Sequence, residues 1–229
     1  MKYLRFTLAA PLQSWGEAAP WDYKETEAIP TKSAIVGMIS AAFGYRYGDP
    51  NIQKLADSIQ VAIRVDRPGS VMEDYQVVKS NKDYLVNAGG KMRVPDTSRT
   101  IISHKQYLQD ARFVVFLQGN EKTLGAVYNA LRKPVFLTYL GKRCCATSEP
   151  VLPAWVEADS LFSAVRNFTE YDKQRIKSSK VQVEVETVTR EKNNLMRRSY
   201  TRRDRIVNGF DKNYALRNVC SYYIDVQKG

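Results

Sequence analysis

The sequence contains few of the residues that build metal sites and disulfide frameworks. Its 229 residues include three cysteines and one histidine, and two of the cysteines, Cys144 and Cys145, are adjacent. This spacing excludes a disulfide framework and the C-x-x-C pairs of a zinc site. The single histidine, His104, excludes a multi-histidine metal site and nuclease chemistry that needs two histidines. We therefore expect a cytoplasmic protein with neither a metal nor a cofactor.

Long apolar runs are also missing from the chain. No segment approaches the roughly 18 consecutive apolar residues that a membrane-spanning helix needs. The N-terminal segment carries Arg5 within its apolar stretch and lacks a long hydrophobic region, so we expect no secretory signal. The patterns G-x-S-x-G, H-E-x-x-H and the P-loop are absent as well, so no common hydrolase or nucleotide-binding motif points to an enzyme.

What the chain has in excess is positive charge. It contains 35 Lys and Arg against 24 Asp and Glu, which gives a net charge of +11 and a sequence pI near 9.5. Hydrophobic residues make up 44% and aromatic residues 11%, enough to form a core in one large domain or two small ones. The charge excess indicates a polyanionic partner, and nucleic acid is the first candidate.

The hydrophobic pattern predicts an α+β fold. Residues 2–9 alternate between two faces, which indicates a strand. Thr31 stands at the N-cap of a helix, and Gly44 ends that helix. The other predicted elements are a short helix at 52–59, strands at 61–67 and 111–119, a helix at 121–133 and a short closing strand at 135–138. This βαββαβ order is that of the ferredoxin-like fold, which RNA-recognition modules share with many unrelated proteins.

A long insertion separates the second and third predicted strands. Residues 74–110 have Gly89 and Gly90 near their middle and few apolar residues after Val86. A structureless loop of this length is unusual inside a compact domain. We therefore predict an extended basic β-hairpin that carries Lys79, Lys82, Lys91, Arg93, Arg99 and Lys105.

The composition changes after residue 150. We expect residues 1–150 to form the ferredoxin-like domain with its inserted hairpin, and residues 151–229 to form a smaller β-rich lobe. The C-terminal part contains an alternating strand at 181–188, a basic run from Arg190 to Arg205 and a final strand at 220–226. The basic run predicts one cationic face on this lobe.

Two short segments contain residue types that suit RNA. In the loop 139–143, Gly141 is followed by Lys142 and Arg143, and such a loop offers backbone N–H groups and a guanidinium to a phosphate. At 13–16, Gln13 and Trp15 place an amide and an indole beside a turn, which suits contacts with an unpaired base. Each segment has a structural alternative: a solvated glycine turn for the first, and a core position for Trp15.

Several segments together resemble one family. They are PLQSWG at 11–16, IPTKSAIVGMISAAFG at 29–44, VAIRVDRPG at 61–69, DYQVV at 74–78, HKQYLQDARFVVFL at 104–117, YLGKRC at 139–144 and RDRIVNGF at 203–210. Over nearly the whole chain, their sequence and spacing are similar to the CasD family, the Cas family five subunits of type I-E CRISPR Cascade. The chain departs from that family at Cys144 and Ala146, where Ser and Pro are usual, and at Ile206, where proline is common.

The resemblance implies a non-catalytic, RNA-binding subunit of a cytoplasmic ribonucleoprotein complex for antiviral defence. Such a subunit binds and caps the 5′ handle of CRISPR RNA, and the inserted hairpin is a thumb that folds over the RNA. The implied partners are CRISPR RNA, CasC backbone subunits, the CasA large subunit and target DNA paired to the guide. The residues we expect to bind RNA are Gln13, Trp15, Lys32, Ser33, Arg64, Arg99, Lys105, Tyr107, Tyr139, Gly141, Lys142 and Arg143.

Two other functions stay open at the level of sequence. A metal-independent precursor-CRISPR-RNA endoribonuclease, as in type I-C relatives, would use His104 and Lys105 with a tyrosine such as Tyr107 or Tyr45. The lone histidine and the absence of a second candidate acid favour a binding subunit over this enzyme. The third possibility is a basic scaffold that contacts only protein, and the grouping of Lys and Arg beside Gly and aromatic residues favours RNA contact over it.

Overall fold

The computed structural model describes residues 1–16, 23–79, 100–170, 180–187, 196–208 and 213–225, and every structural statement below refers to these residues. They form a mixed α+β structure. The described helices are α1 (Lys32–Phe43), α2 (Pro50–Ser58), α3 (Glu121–Arg132) and α4 (Leu161–Asn167). None of them is both long and apolar enough to cross a bilayer.

The described strands form two sheets. In chain order they are β1 (Lys2–Ala9), β2 (Leu12–Gln13), β3 (Tyr23–Lys24), β4 (Gln60–Arg67), β5 (Ser70–Lys79), β6 (Thr100–Gln109), β7 (Arg112–Gln118), β8 (Ala154–Glu157), β9 (Lys180–Glu186), β10 (Met196–Asn208) and β11 (Asn213–Asp225). The larger sheet is antiparallel with the order β10-β11-β9-β4-β7-β1-β8. The strand β7 lies in its interior, between β4 and β1, in agreement with its nearly continuous apolar sequence.

The two faces of the larger sheet bury separate hydrophobic clusters. Leu4, Phe6 and Leu8 of β1 pack with residues of α1, α2 and α3 on one face. Tyr3 packs with residues of α4 on the other face. This division follows from the alternation of side chains along a strand, and it confirms the faces predicted for residues 2–9.

Helix α1 begins and ends where the sequence predicts. The Thr31 side chain accepts a hydrogen bond from the backbone N–H of Ala34, and Gly44 ends the helix with a left-handed φ of 81°. The backbone N–H of Lys32 donates to the Asp204 carboxylate of β10 at 2.8 Å. A carboxylate at this position stabilises the positive end of the helix dipole, so α1 is fixed to the C-terminal part of the chain.

The C-terminal strands extend the same sheet. The strand β9 pairs with β4, β11 pairs with β9, and β10 lies at the edge. The sequence places residues 151–229 in a lobe of their own, whereas the described strands of that segment flank β4, β7 and β1 on both sides. Three ion pairs hold this extension and are called the buried charge network: Lys32 with Glu186 at 2.8 Å, Arg202 with Glu184 at 3.1 Å and Arg217 with Asp204 at 2.7 Å.

The closing strand predicted at 135–138 is wrong. These residues follow α3 without joining either sheet, and β8 pairs with β1 instead. The prediction relied on the apolar character of the segment. In the structure, Val135, Phe136 and Leu137 are exposed, so their apolar character does not come from a position in the core.

The second sheet is built on a long hairpin. Strands β5 and β6 pair from Ser70↔Gln109 to Lys79↔Thr100, and the other edge of β6 takes β2 and β3. The strands of the predicted hairpin at 74–110 are thus confirmed, although β5 begins at Ser70. Residues 80–99, which include Arg99, lie outside the described residues.

Candidate nucleic-acid interface

The loop 139–143 is fixed to the body of the protein by backbone contacts. The backbone N–H of Ser14 donates to the Leu140 carbonyl at 3.0 Å, and the N–H of Leu140 donates to the Cys145 carbonyl at 2.9 Å. Gly141 has a φ of 95°, and a Cβ built there would lie 1.6 Å from the Ser14 carbonyl oxygen. Only glycine fits this close approach, so the glycine is what allows the loop to lie against the segment that contains Ser14.

Lys142 follows this glycine and lies over an aromatic ring. Its Nζ is 4.2 Å from the centre of the Tyr107 ring and 3.4 Å from the Gln106 carbonyl oxygen. The pKa of Lys142 is lowered, first because partial burial disfavours the ammonium form, and further because Lys105 and Lys24 repel it. The aromatic face and the carbonyl therefore hold the ammonium group close to two like charges.

These three cations form a surface that we call the lysine cluster, consisting of Lys24, Lys105 and Lys142. Lys24 on β3 lies opposite Lys105 on β6 in register, and the Lys105 ammonium donates to the Gln76 side chain. Arg143 is exposed beside Lys142. An anion bound among these groups would relieve their mutual repulsion and accept charge-assisted hydrogen bonds.

The Tyr107 ring packs under the Lys142 ammonium group of the lysine cluster. The residue is buried, its hydroxyl lies 3.7 Å from the Cys144 sulfur, and burial raises the pKa of Tyr107 to about 12. Its ring is covered by Lys142. Tyr107 therefore positions a cation. Tyr139, the first residue of the loop 139–143, is exposed.

The structure corrects the prediction that Gln13 and Trp15 contact a base. Trp15 is 1% exposed and packs edge-on against Phe113, with ring centres 6.4 Å apart. Its indole N–H donates to the Gln13 side chain at 3.2 Å, and the Gln13 amide donates to the Ala111 carbonyl at 2.6 Å. The polar end of the indole is thus satisfied inside the core, so the alternative reading of Trp15 as a core residue is confirmed.

Lys32 and Arg64 are also used inside the protein and not on its surface. The Lys32 ammonium donates to Glu186 and to a backbone carbonyl, both at 2.8 Å. Arg64 is fully buried, where it pairs with Asp66 and donates to two further backbone carbonyls. Ser33 is half-buried with its hydroxyl 3.2 Å from that of the N-cap threonine. Burial and pairing remove Lys32 and Arg64 from the surface that RNA would reach.

Sequence analysis missed Lys24. It lies in the irregular segment before α1 and reaches the lysine cluster because the two-residue strand β3 pairs with β6. No local motif marks a pairing of this kind, because its partner is far away along the chain. The sequence also predicts one cationic face for the whole basic run 190–205. In the described part of that run, Arg198, Arg203 and Arg205 are exposed, whereas Arg202 is buried against Glu184.

Comparison with known proteins decides the family. A family model described as CRISPR-associated protein (Cas_Cas5) matches residues 3–212. The chain belongs to this Cas5 family. The CRISPR system Cascade subunit CasD of Escherichia coli (strain K12) is 30% identical to it over 173 residues, which are 72% of this chain and 76% of that relative. The resemblance based on sequence motifs is therefore confirmed.

Two solved structures are similar to this Cas5-family chain. A chain of a CRISPR RNA-guided surveillance complex has a TM-score of 0.76 and 28% identity, and the alignment covers 99% of this chain and 91% of that one. A Cas protein known from a crystal structure has a TM-score of 0.69 and 23% identity, with 98% and 96% covered. The second likeness supports the fold alone, and both agree with the mixed α+β architecture.

The alternative catalytic residues of this Cas5-family chain lie on different faces of the hairpin. The ring of His104 stacks on Tyr23, and its Nδ1 lies 2.6 Å from a Glu73 oxygen. The Tyr23 hydroxyl donates to the other oxygen of the same carboxylate at 2.7 Å. Hydrogen bonds from His104 and then from Tyr23 lower the pKa of Glu73. His104 therefore belongs to an aromatic and acidic cluster, whereas Lys105, its neighbour on the strand, points to the opposite face.

A metal site is not formed by the described part of the chain. No three His, Cys, Asp or Glu side chains there come together in a way that would hold an ion. The described cysteines are all unpaired, with Cys144 exposed and Cys145 buried. The candidate interface brings together ammonium, guanidinium and backbone N–H groups, which are suited to binding phosphate.

Proposed function

We propose that this Cas5-family chain is a non-catalytic Cascade subunit that binds and caps the 5′ handle of CRISPR RNA in the cytoplasm. In this proposal it joins a CasC-type backbone subunit to a CasA-type large subunit, and the guide pairs with target DNA within the complex. The observation that carries the proposal is the lysine cluster, in which Lys142 on the glycine-fixed loop lies close to Lys24 of β3 and Lys105 of β6. The named relatives, a Cascade subunit and a surveillance complex, support it.

The fold supports the same proposal. We infer that β1, α1, β4, β7, α3 and β8 form a ferredoxin-like unit. Its strand order β4-β7-β1-β8 is the order expected for βαββαβ connectivity, and α1 and α3 pack into one cluster on the same face. The hairpin β5–β6 leaves this unit between β4 and β7, where a thumb inserted into that fold would begin.

Charge reversal at the loop tests the RNA-binding part of the proposal. We expect Lys142→Glu with Arg143→Glu to lower the affinity of the isolated chain for a CRISPR repeat RNA at least tenfold, because two phosphate contacts become repulsive. If the wild-type chain neutralises about six phosphates, the slope of log K against log salt is about −4, and the double variant flattens it by about 1.4. Filter binding across a salt series measures both quantities.

A matched control separates the local effect from the effect of net charge. Lys54→Glu with Lys122→Glu makes the same change of charge at exposed positions on α2 and α3. We expect this control to bind nearly as tightly as the wild type. Equal loss of affinity in both double variants would show that only the overall charge matters, and the proposed interface would be wrong.

The absence of catalysis is tested separately. Because His104 is held by Glu73 and Tyr23 on the face opposite Lys105, we expect repeat RNA to stay intact when it is incubated with the chain in EDTA. Discrete cleavage products that disappear in His104→Ala would establish the endoribonuclease alternative instead.

A further inference from the structure

The segment after α3 presents a row of exposed apolar side chains. We call it the apolar ridge, and its members are Val135 at 65% exposure, Phe136 at 44%, Leu137 at 87% and Tyr139 at 39%. Single exposed apolar residues are ordinary, but a contiguous patch marks an interaction site. The core does not use these residues, and it was their apolar character that made the sequence suggest a strand there.

The apolar ridge is held in place by the end of α1. The backbone N–H of Val135 donates to the Ala42 carbonyl at 2.9 Å, and that of Phe136 donates to the Ala41 carbonyl at 3.2 Å. A Cβ built on Gly44 would lie 2.9 Å from a methyl group of Val135. The glycine that ends α1 thus also lets the ridge approach. A surface positioned in this way loses little conformational freedom when it binds.

Basic residues flank the apolar ridge on both sides in the sequence. Arg132 and Lys133 precede it and are exposed, and Lys142 and Arg143 follow it on the fixed loop. A second copy of this chain would place the same cations against one another, because a twofold interface matches a patch with itself. Like charges brought together in this way oppose association. The basic rim therefore favours a partner that carries carboxylates.

The aliphatic side chains of the apolar ridge favour a protein partner over a nucleic acid. Aromatic rings stack on bases, but Val135 and Leu137 are aliphatic, and Leu137 is the most exposed member of the ridge. Aliphatic side chains contribute by removing apolar surface from water, which requires an apolar counterpart. Such counterparts are common at the centres of protein interfaces.

We propose that the apolar ridge is the docking site for a neighbouring protein subunit whose surface has an apolar centre and a rim of Asp and Glu. The identity of that neighbour as a CasC-type or CasA-type subunit rests on the proposed function. The ridge runs directly into the loop that carries Lys142 and Arg143, so the neighbour lies beside the RNA that the loop binds.

Leu137→Asp tests this proposal in the reconstituted assembly of the chain with CRISPR RNA and the CasC-type and CasA-type subunits of the same source. We expect at least a tenfold loss of incorporation, measured by native mass spectrometry. The melting temperature and RNA affinity of the isolated chain stay close to wild type, since Leu137 has little contact with the core. Leu152→Asp is the matched control, because it changes another exposed loop leucine, and we expect normal incorporation.

The rim is tested by a second pair of variants, at opposite ends of α3. Lys133→Glu, next to the ridge, lowers incorporation several-fold if the partner carries carboxylates, whereas Lys122→Glu at the start of α3 leaves it unchanged. Normal incorporation of Leu137→Asp would overturn the proposal. So would a loss of RNA affinity in that isolated variant, or self-association of the wild-type chain that Leu137→Asp abolishes.

Failure of the ridge proposal and failure of the proposed function give different results. If the isolated wild-type chain does not bind repeat RNA, the proposed function fails. Loss of incorporation in Leu137→Asp alone would still support the ridge. If Lys142→Glu with Arg143→Glu loses RNA while Leu137→Asp incorporates normally, the function stands and the ridge does not.

Discussion

The lysine cluster and the buried charge network both gather cations, but they neutralise them differently. Each cation of the network has a carboxylate partner within hydrogen-bond distance. In the lysine cluster the contacts of the ammonium groups are an aromatic ring, a backbone carbonyl and an amide. Counting Lys and Arg therefore does not distinguish cations on a binding surface from cations that are paired inside the protein. Direct pairing with carboxylates distinguishes the buried cations from those of the candidate interface, where Asp74 lies opposite Lys105 in register and accepts a hydrogen bond from Gln76.

The largest loss of stability is expected when an ion pair of the buried charge network is removed. Arg217 donates twice to the Asp204 carboxylate, with both hydrogen bonds at 2.7 Å. Asp204→Ala leaves the buried guanidinium without its carboxylate, and we expect the free energy of unfolding to fall by about 3–5 kcal/mol. Urea denaturation measures this loss.

A double variant identifies the reason for that loss. Asp204→Asn with Arg217→Met removes both charges but keeps an oxygen that accepts from the backbone N–H of Lys32. We expect it to be more stable than Asp204→Ala, because no uncompensated charge remains buried. If it is equally destabilised, the pair contributes through packing and not through charge.

A loss of comparable size is expected at Trp15. The indole fills the core against Phe113, so Trp15→Ala should lower the free energy of unfolding by about 3–5 kcal/mol. RNA affinity of the fraction that remains folded stays unchanged, because the ring does not reach the surface. Melting curves and binding assays on the same sample test both statements. A tenfold loss of affinity in well-folded protein would show that Trp15 contacts RNA after all.

Acid should weaken the buried charge network, because its carboxylates can be protonated. Although burial opposes the charged form, hydrogen bonds and charge from Arg217 hold the pKa of Asp204 below its ordinary value. Folding therefore favours the carboxylate, and this stability is fully present above the ordinary value of about 3.9. It is lost as the pH falls through the lower pKa of the folded state. Unfolding measured from pH 6 to pH 2 should show a loss that is smaller in Asp204→Asn.

Sequence analysis predicted local structure well, and it was weakest where distant segments meet. The ends of α1 follow from Thr31 and Gly44, which act within one turn of the helix. The loop 139–143 was also found, because glycine followed by two cations is a local pattern. Lys24 was not found, since only its pairing with Lys105 brings it to the cluster.

The same limit explains the errors at the candidate site. Lys32 and Arg64 carry the charge of surface residues, but Glu186 and Asp66 neutralise them inside the protein. A sequence shows that such residues are present and does not show which of them are paired. The error at 135–138 is the opposite one. These apolar residues were predicted to form a strand, but they are exposed, because an apolar surface segment has the same composition as a buried strand.

The smallest effect on stability is expected from replacing residues 81–97, which connect β5 to β6 in the sequence and lie outside the described residues. Replacement of residues 81–97 by a short Gly-Ser turn keeps the ten paired positions from Ser70 to Lys79, together with Lys105 on β6. Closing a shorter loop favours folding by about 1 kcal/mol, so the variant should be at least as stable as the wild type by urea denaturation. Its isolated RNA affinity falls only modestly, because the lysine cluster is retained, but we expect it to recover little CRISPR RNA or CasC-type subunit on co-purification. Aggregation of the variant would show that residues 81–97 belong to the core, and normal assembly would show that they have no role in contacts with CRISPR RNA and the neighbouring subunit.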